Sequence, residues 1–168
     1  MIVQQFLRPH TDLSEKTLTI ALGAAFALRG DMNPKANELR KRTHEFFMRV
    51  IRLCEQLPRS ESATSISGQL LDSSGSTDSN YRAACRARTR KEFIAKLGTT
   101  VEEADESLGW LESLRDAGLG PREEVLSLVK EANELVSIFV RSRKTAEENE
   151  QKARELKEAQ SNIRKRRR

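Results

Sequence analysis

The sequence predicts an all-α protein: an antiparallel up-down-up-down four-helix bundle with an N-terminal extension and a basic C-terminal tail. Apolar residues recur at helical spacing in four segments that capping residues, glycine or proline separate. Hydrophobic residues make up 37% and charged residues 33% of the chain, a balance typical of helices that bury only one stripe. Valine, isoleucine and aromatic residues are too scattered for the alternating pattern of strands.

The first predicted helix runs from about Pro34 to Leu57. Pro58 ends it, because proline disfavours helical geometry in the residue before it. The residues on its buried face recur at intervals of three, four and seven: Leu39, Thr43, Phe46, Phe47, Val50, Cys54 and Leu57.

The second predicted helix, from about Glu61 to Ala87, crosses a serine-rich stretch. Eight of the twenty residues from 60 to 79 are serine, a composition that alone indicates a linker. Three apolar residues inside the stretch nevertheless keep helical spacing: Ile66, Leu70 and Leu71. We therefore expect a helix that is capped by Ser60 or Ser62 and loosened around residues 73–76.

The third and fourth predicted helices have clear boundary residues. Thr89 with Glu92 three residues later has the pattern of a capping box, and Gly118 follows the end of the third helix. Pro121 opens the fourth helix, whose apolar stripe ends at Val140. The bundle is thus predicted to span residues 34–143. We expect residues 144–168 to form a charged tail. Its Glu, Lys, Ala and Arg residues favour helix, but we expect it to project or to be disordered, because it has no apolar face to bury.

Residues 1–33 are predicted to be an N-terminal extension, for which three interpretations stay open. The apolar run Leu18–Leu28 is too short to span a bilayer, which needs about 20 residues. Ala25-Phe26-Ala27 has the shape of a signal-peptidase site, but acidic residues precede it. The alternatives are a short N-terminal helix, or translated upstream sequence with Met32 as the functional start.

Charge is unevenly distributed along the chain. The net charge is +5, which equals the charge of the terminal run Arg164–Arg168 alone, so the rest sums to zero. Residues 80–98 hold six basic residues and one acid, whereas residues 102–116 hold six acids and one base. Such separation indicates surfaces that attract each other, or a surface for an anionic partner.

Nothing in the sequence indicates an enzyme, a cofactor or a metal site. Cys54 and Cys85 have no CxxC spacing, so we expect free thiols in a reducing cytosol and a cytoplasmic protein. The two histidines are isolated from other metal-ligating residues. Paired carboxylates such as Glu102 and Glu106 lack a nearby nucleophile or histidine, which favours a solvated or ion-paired helix face.

Several motifs resemble those of one protein family. They are Arg42-Thr43-His44-Glu45-Phe46, Gln69-Leu70-Leu71, Asn80-Tyr81-Arg82-Ala83-Ala84-Cys85-Arg86-Ala87-Arg88, Glu92-Phe93-Ile94-Ala95-Lys96-Leu97, and Glu103-Ala104-Asp105-Glu106-Ser107 followed by Trp110-Leu111. In combination, over about residues 36–140, they resemble the bacterial four-helix-bundle family of 23S rRNA intervening-sequence proteins. The chain departs from the family pattern at Asp72, where a basic residue is common, and at residues 74–79, where a small apolar-glycine run is usual.

The resemblance implies an antiparallel four-helix bundle that assembles as a homopentameric ring. A related branch comprises the accessory variability determinant proteins of diversity-generating retroelements. That branch implies binding to nucleic acid and to a reverse transcriptase.

Two roles are open for the charged residues. In the first, basic residues contact phosphates as sequence-independent charges; the candidates are Arg82, Arg86, Arg88, Arg90, Lys91, Arg164, Lys165, Arg166, Arg167 and Arg168. In the second, arginines pair with acids within or between subunits, and such head-to-tail contacts close into rings. The candidate subunit interface is Arg82, Arg86, Glu102, Glu103, Asp105, Glu106 and Trp110. Trp110 is either an interface anchor or a core residue.

We therefore expect a non-enzymatic homo-oligomer, a pentamer, that binds RNA, DNA or a nucleic-acid-handling partner such as a reverse transcriptase, without membrane association. A structural or protein-adaptor module with no nucleic-acid contact is the alternative. The terminal basic run has no interleaved aromatic residue for base stacking, which predicts little sequence specificity.

Overall fold

The computed structural model describes residues 34–166, with side chains through Lys165. They form four α-helices: α1 (Pro34–Cys54), α2 (Glu61–Ala84), α3 (Arg90–Asp116) and α4 (Arg122–Arg166). Residues 34–166 contain no strand. The predicted all-α four-helix bundle is confirmed. The interpretations of residues 1–33, and the candidates Arg167 and Arg168, lie outside the described residues.

The four helices pack in a ring: each contacts its neighbour in sequence, and α1 also contacts α4. The ion pairs between α1 and α4 run in opposite order along the two helices. Arg42 pairs with Glu131, and Arg49, seven residues later, pairs with Glu124, seven residues earlier. These two helices therefore run in opposite directions, as the short connections at 55–60, 85–89 and 117–121 favour for neighbours in sequence.

The core is formed by the inward stripes of all four helices. Its largest fully buried side chains in the described residues are Phe46, Leu53, Leu70, Leu97, Leu111, Leu114, Leu128, Leu135 and Phe139. The rings of Tyr81 and Phe139 pack at a tilt of 42° with centroids 5.1 Å apart, a favourable aromatic geometry.

The serine-rich part of α2 is a continuous helix, so the prediction that it is loosened at residues 73–76 is wrong. Ser73, Ser74 and Thr77 are buried, and their hydroxyls donate to backbone carbonyls one turn earlier. This local bonding satisfies each hydroxyl without opening the helix. The small side chains also bring α2 close to α3, where Ser107 Oγ lies 3.0 Å from Ser73 Oγ.

Most predicted helix starts are confirmed, and the ends differ by a few residues. Ser60 Oγ accepts a bond from Ala63 N, and Thr89 Oγ1 accepts one from Glu92 N. Gly118, just past the end of α3, adopts a φ of 65°, which glycine tolerates without strain. The first two helices end three residues earlier than predicted, at Cys54 and Ala84, because the chain turns into the connections there.

α4 continues through the described part of the predicted tail and packs further along the bundle than the sequence predicts. It is helical through Arg166, and Ser142 and Ala146 are buried. The expectation that the buried stripe ends at Val140 is therefore wrong. Val140 is exposed, and the small side chains of Ser142 and Ala146, which give only a weak apolar signal, continue the stripe. Beyond Ala146, apolar residues such as Leu156 are exposed.

Candidate functional site

Arg82 is already engaged within its own chain. Its NH2 donates to Asp78 Oδ2 at 2.7 Å, one helical turn earlier. Asp78 is buried, and the same oxygen lies 3.1 Å from His44 Nδ1 on α1. The carboxylate therefore balances the charge of Arg82. This pairing weakens the case for Arg82 as a contact for nucleic acid or for another subunit.

Arg90 joins the start of α3 to the later part of α4. Its NH1 donates to the carbonyl oxygen of Asn149 at 3.2 Å and lies 3.6 Å from Glu150 Oε2. This candidate phosphate contact thus has a structural role in the protomer.

Of the other four cations of residues 80–98, Lys96 lies 3.5 Å from Asn80 Oδ1. The other three form an unpaired surface, which we call the basic end: Arg86, Arg88 and Lys91. All three are exposed around the α2–α3 connection. Lys91 shares a shallow cleft with Glu147 and Glu150 of α4. Among the side chains that the structure describes, however, none of the three has a carboxylate within ion-pair distance.

The terminal basic run begins within the last turn of α4. Arg164 and Lys165 are exposed there. The side chains of Arg166, Arg167 and Arg168 lie outside the described residues. A role for the run in nucleic-acid binding stays a prediction.

The acids of α3 form a second unpaired surface, the acidic face: Glu102, Glu103, Asp105 and Glu106. Burial disfavours the charged form of Glu103 and raises its pKa, and the nearby carboxylates of Glu106 and Glu102 raise it further. None of the four pairs with a cation among the described side chains. Within one protomer, the predicted pairing between these acids and the arginines of residues 82–90 is therefore not formed in the described part of the chain.

Trp110 borders the acidic face. It is half-buried against the core, and its Nε1 donates to Glu106 Oε1 at 3.2 Å. The side chain packs on the core, which is one of its two predicted roles, and its role as an interface anchor stays a prediction.

Two further arginines, which were not among the candidate site residues, tie α1 to α4. Arg42 donates to Glu131 at 2.6 Å and also to Glu134, and these bonds raise the pKa of its guanidinium. Arg49 donates to Glu124 at 3.0 Å. The signal was the seven-residue spacing of the two arginines, which the spacing of the two α4 glutamates matches.

A cleft between α1 and α2 was also missed. It has a volume of about 200 Å³ and is lined by Arg40, Lys41, His44, Asp78 and Arg82. Only Arg82 among these was a predicted site residue. The available signal was the cluster of Arg40, Lys41 and His44 within about one turn of α1.

No other cluster in the described residues indicates bound chemistry. Residues 34–166 contain no group of three His, Cys, Asp or Glu side chains that could hold a metal ion. Cys54 and Cys85 are free, and burial raises the pKa of both thiols. No helix in this part of the chain has the length and apolarity needed to cross a membrane.

Comparisons with known proteins agree with this fold. A family model for the 23S rRNA-intervening sequence protein matches residues 35–141. One similar solved structure is a protein of unknown function from the S23 ribosomal protein family of Bacteroides thetaiotaomicron VPI-5482. It is 29% identical with a TM-score of 0.59, and the alignment covers 65% of this chain and 97% of that one. No match was found among curated proteins.

Proposed function

The chain belongs to the 23S rRNA-intervening sequence protein family, and on that premise we propose that it is a non-enzymatic homopentamer that binds nucleic acid, or a partner that handles nucleic acid. The observation that carries this proposal is the basic end. Arg86, Arg88 and Lys91 have no carboxylate partner among the described side chains, whereas Arg82 and Arg90 do. Cations that the fold leaves unpaired are available to phosphates.

The expected mode of binding is electrostatic. Each exposed cation that meets a phosphate releases counterions, so affinity depends on salt more than on base sequence. Arg88 and Lys91 at the basic end and five cations in the terminal run give each protomer a small number of weak contacts, and Arg86 is left for the subunit contact described next. In a pentamer these contacts repeat five times, and avidity raises the overall affinity.

The proposed assembly brings together surfaces that a single protomer leaves unpaired. Arg86 of one copy meets the acidic face of the next, beside Trp110. Such a contact joins two different surfaces, and contacts of this kind close into rings. Arginine–carboxylate pairs at an interface fix register and partner choice, and a tryptophan at their edge supplies contact area.

The nucleic-acid part is tested by binding a fluorescent single-stranded 20-nucleotide RNA at several salt concentrations. We expect Arg88→Gln with Lys91→Gln to weaken binding and to reduce the slope of log affinity against log salt by about one per removed contact. Deletion of residues 164–168 lowers affinity further. The matched control, Lys130→Gln with Lys144→Gln, removes two exposed cations from α4 and leaves the affinity unchanged within about twofold.

Absence of binding at low salt contradicts this part of the proposal, as does an equal loss in the control. A search of the gene neighbourhood for a reverse transcriptase, or for an enclosing rRNA gene, tests which partner the protein serves.

The assembly part is tested by light scattering of a charge-reversed protein. Glu103→Lys with Glu106→Lys dissociates the oligomer, because like charges then face each other across the contact. Adding Arg86→Glu to this variant restores the oligomer, because the two contacting surfaces then carry opposite charges again. The matched control, Glu148→Lys with Glu158→Lys, reverses two exposed acids of α4 and leaves the mass of the oligomer unchanged. An acidic face that tolerates reversal with no change of mass refutes this interface.

One observation favours a second function, a protein-adaptor module without nucleic-acid contact. The acidic face with Trp110 at its edge also suits a basic surface on a different protein. A pentamer that binds no RNA or DNA at low salt is the result that this alternative predicts.

A further inference from the structure

The cleft between α1 and α2 is positively charged. Arg40 and Lys41 line one side, Arg82 lines the other, and Asp78 is the single acid among the five lining residues. Three cations and one carboxylate leave two positive charges before His44 is counted. Arg82 is one helical turn from Arg86, so the cleft adjoins the basic end.

Asp78 holds two of the cleft's side chains in place. Its Oδ2 accepts from Arg82 NH2 at 2.7 Å and from His44 Nδ1 at 3.1 Å. Since a carboxylate oxygen only accepts, Nδ1 is the nitrogen that carries the proton. The carboxylate is thus occupied with positioning Arg82 and His44, and it offsets only one of the positive charges.

The other two cations lack partners. Neither Arg40 nor Lys41 has a carboxylate within ion-pair distance among the described residues. Their positive charges are therefore available to an anion in the cleft.

We propose that this cleft binds a phosphate group, with Arg40 and Lys41 as its main contacts and Arg82 and His44 held beside them by Asp78. A phosphate offers several acceptor oxygens and negative charge, which match a guanidinium and an ammonium group together. The inference does not require the nucleic-acid binding proposed above, because a free diphosphate and the terminal phosphate of an RNA carry the same chemistry.

The test is a calorimetric titration of the full-length protein with pyrophosphate at constant ionic strength. Arg40→Gln weakens binding at least tenfold, and Lys41→Gln weakens it about fivefold. The matched control is Arg52→Gln, which removes the same charge from an exposed position on the same helix and changes affinity less than twofold. If circular dichroism shows that Arg40→Gln does not fold, the test rests on Lys41→Gln, because Lys41 is exposed. The proposal is overturned if pyrophosphate at millimolar concentration does not bind, or if all three variants lose affinity equally.

The source of the phosphate is separated by two RNAs of one sequence, one with a 5′-phosphate and one with a 5′-hydroxyl. A preference for the phosphorylated RNA that disappears in Lys41→Gln assigns the cleft to an RNA terminus. Equal binding of both RNAs, together with pyrophosphate binding, assigns it to a free phosphate compound. If neither RNA binds but pyrophosphate does, the proposed function fails and the cleft stands. If RNA binds but pyrophosphate does not, the cleft proposal alone is refuted.

Discussion

Replacing Asp78 by asparagine tests the architecture of the α1–α2 cleft, because it should change stability and ligand affinity in opposite directions. The substitution keeps the size of the side chain and removes its charge. Asp78 is only 4% exposed, and it bonds Arg82 at 2.7 Å and His44 at 3.1 Å. Those partners are 44% and 56% exposed, so water screens the interaction from their side.

The magnitude follows from these contacts. Hydrogen bonds to charged groups contribute about 1.5–3 kcal/mol each when well formed. The exposure of both partners and the remaining amide oxygen reduce the loss, so we expect Asp78→Asn to lower the free energy of unfolding by about 1–2 kcal/mol. For a chain of this size that corresponds to a fall in Tm of about 3–8 °C.

The same substitution removes the single negative charge of the cleft. Two unit charges about 4 Å apart near a protein surface interact by roughly 1–4 kcal/mol. Arg82 and His44 already offset much of the Asp78 charge, so the ligand feels only part of this repulsion. Pyrophosphate affinity should rise by roughly threefold to tenfold, which is about 0.7–1.4 kcal/mol. Differential scanning fluorimetry and calorimetry measure the two effects. Asp72→Asn, an exposed acid on the same helix, changes neither. An Asp78→Asn protein that melts like the wild type, or that binds pyrophosphate more weakly, refutes the reasoning.

Three further predictions concern the bundle. Gly68→Ala raises the free energy of unfolding by about 0.5–1 kcal/mol, because alanine favours helix and its Cβ meets nothing within 4 Å. Both this variant and Gly75→Ala are measured by urea titration. Gly75→Ala raises the free energy of unfolding by less, because its added Cβ would lie 3.3 Å from the ring of Phe47. An equal rise in the two variants contradicts this packing. Ser73→Leu lowers the free energy of unfolding by about 1–3 kcal/mol, because the larger side chain overpacks the contact between α2 and α3. Ser73→Ala changes it by less than about 1 kcal/mol. Similar melting temperatures for the two variants would argue against close packing of α2 on α3. Burial raises the pKa of the Cys85 thiol, and a hydrogen bond with Tyr81 lowers it by less. Iodoacetamide at pH 8 should therefore modify Cys85 more slowly than free cysteine, as followed by mass spectrometry over time. An equal rate would disprove the burial effect.

The sequence predicted the helices well where a local signal exists. The N-caps at Ser60 and Thr89 and the left-handed Gly118 depend on neighbouring residues, and all three are confirmed. The buried serines of α2 were misjudged because composition does not reveal what packs against a residue. Ser73 is buried against α3, where its contact Ser107 is 34 residues away in sequence.

The charged surfaces show a similar limit. The charge counts over residues 80–98 and 102–116 identified both surfaces, but they did not reveal which cations the fold neutralises. Arg82 is paired by a residue one turn earlier and Arg90 by α4, so two of the predicted contacts are already used. The cleft was missed because Arg40 and Arg82 lie on different helices, and only the packing of α1 on α2 brings them together.

The measurement that tests the central claim most directly is native mass spectrometry of the full-length protein, alone and with a short single-stranded RNA at low salt. The account predicts an assembly of five chains of 19.1 kDa. It also predicts that this assembly binds RNA and loses it as salt rises. A monomer at micromolar concentration, with no RNA bound at low salt, would contradict it.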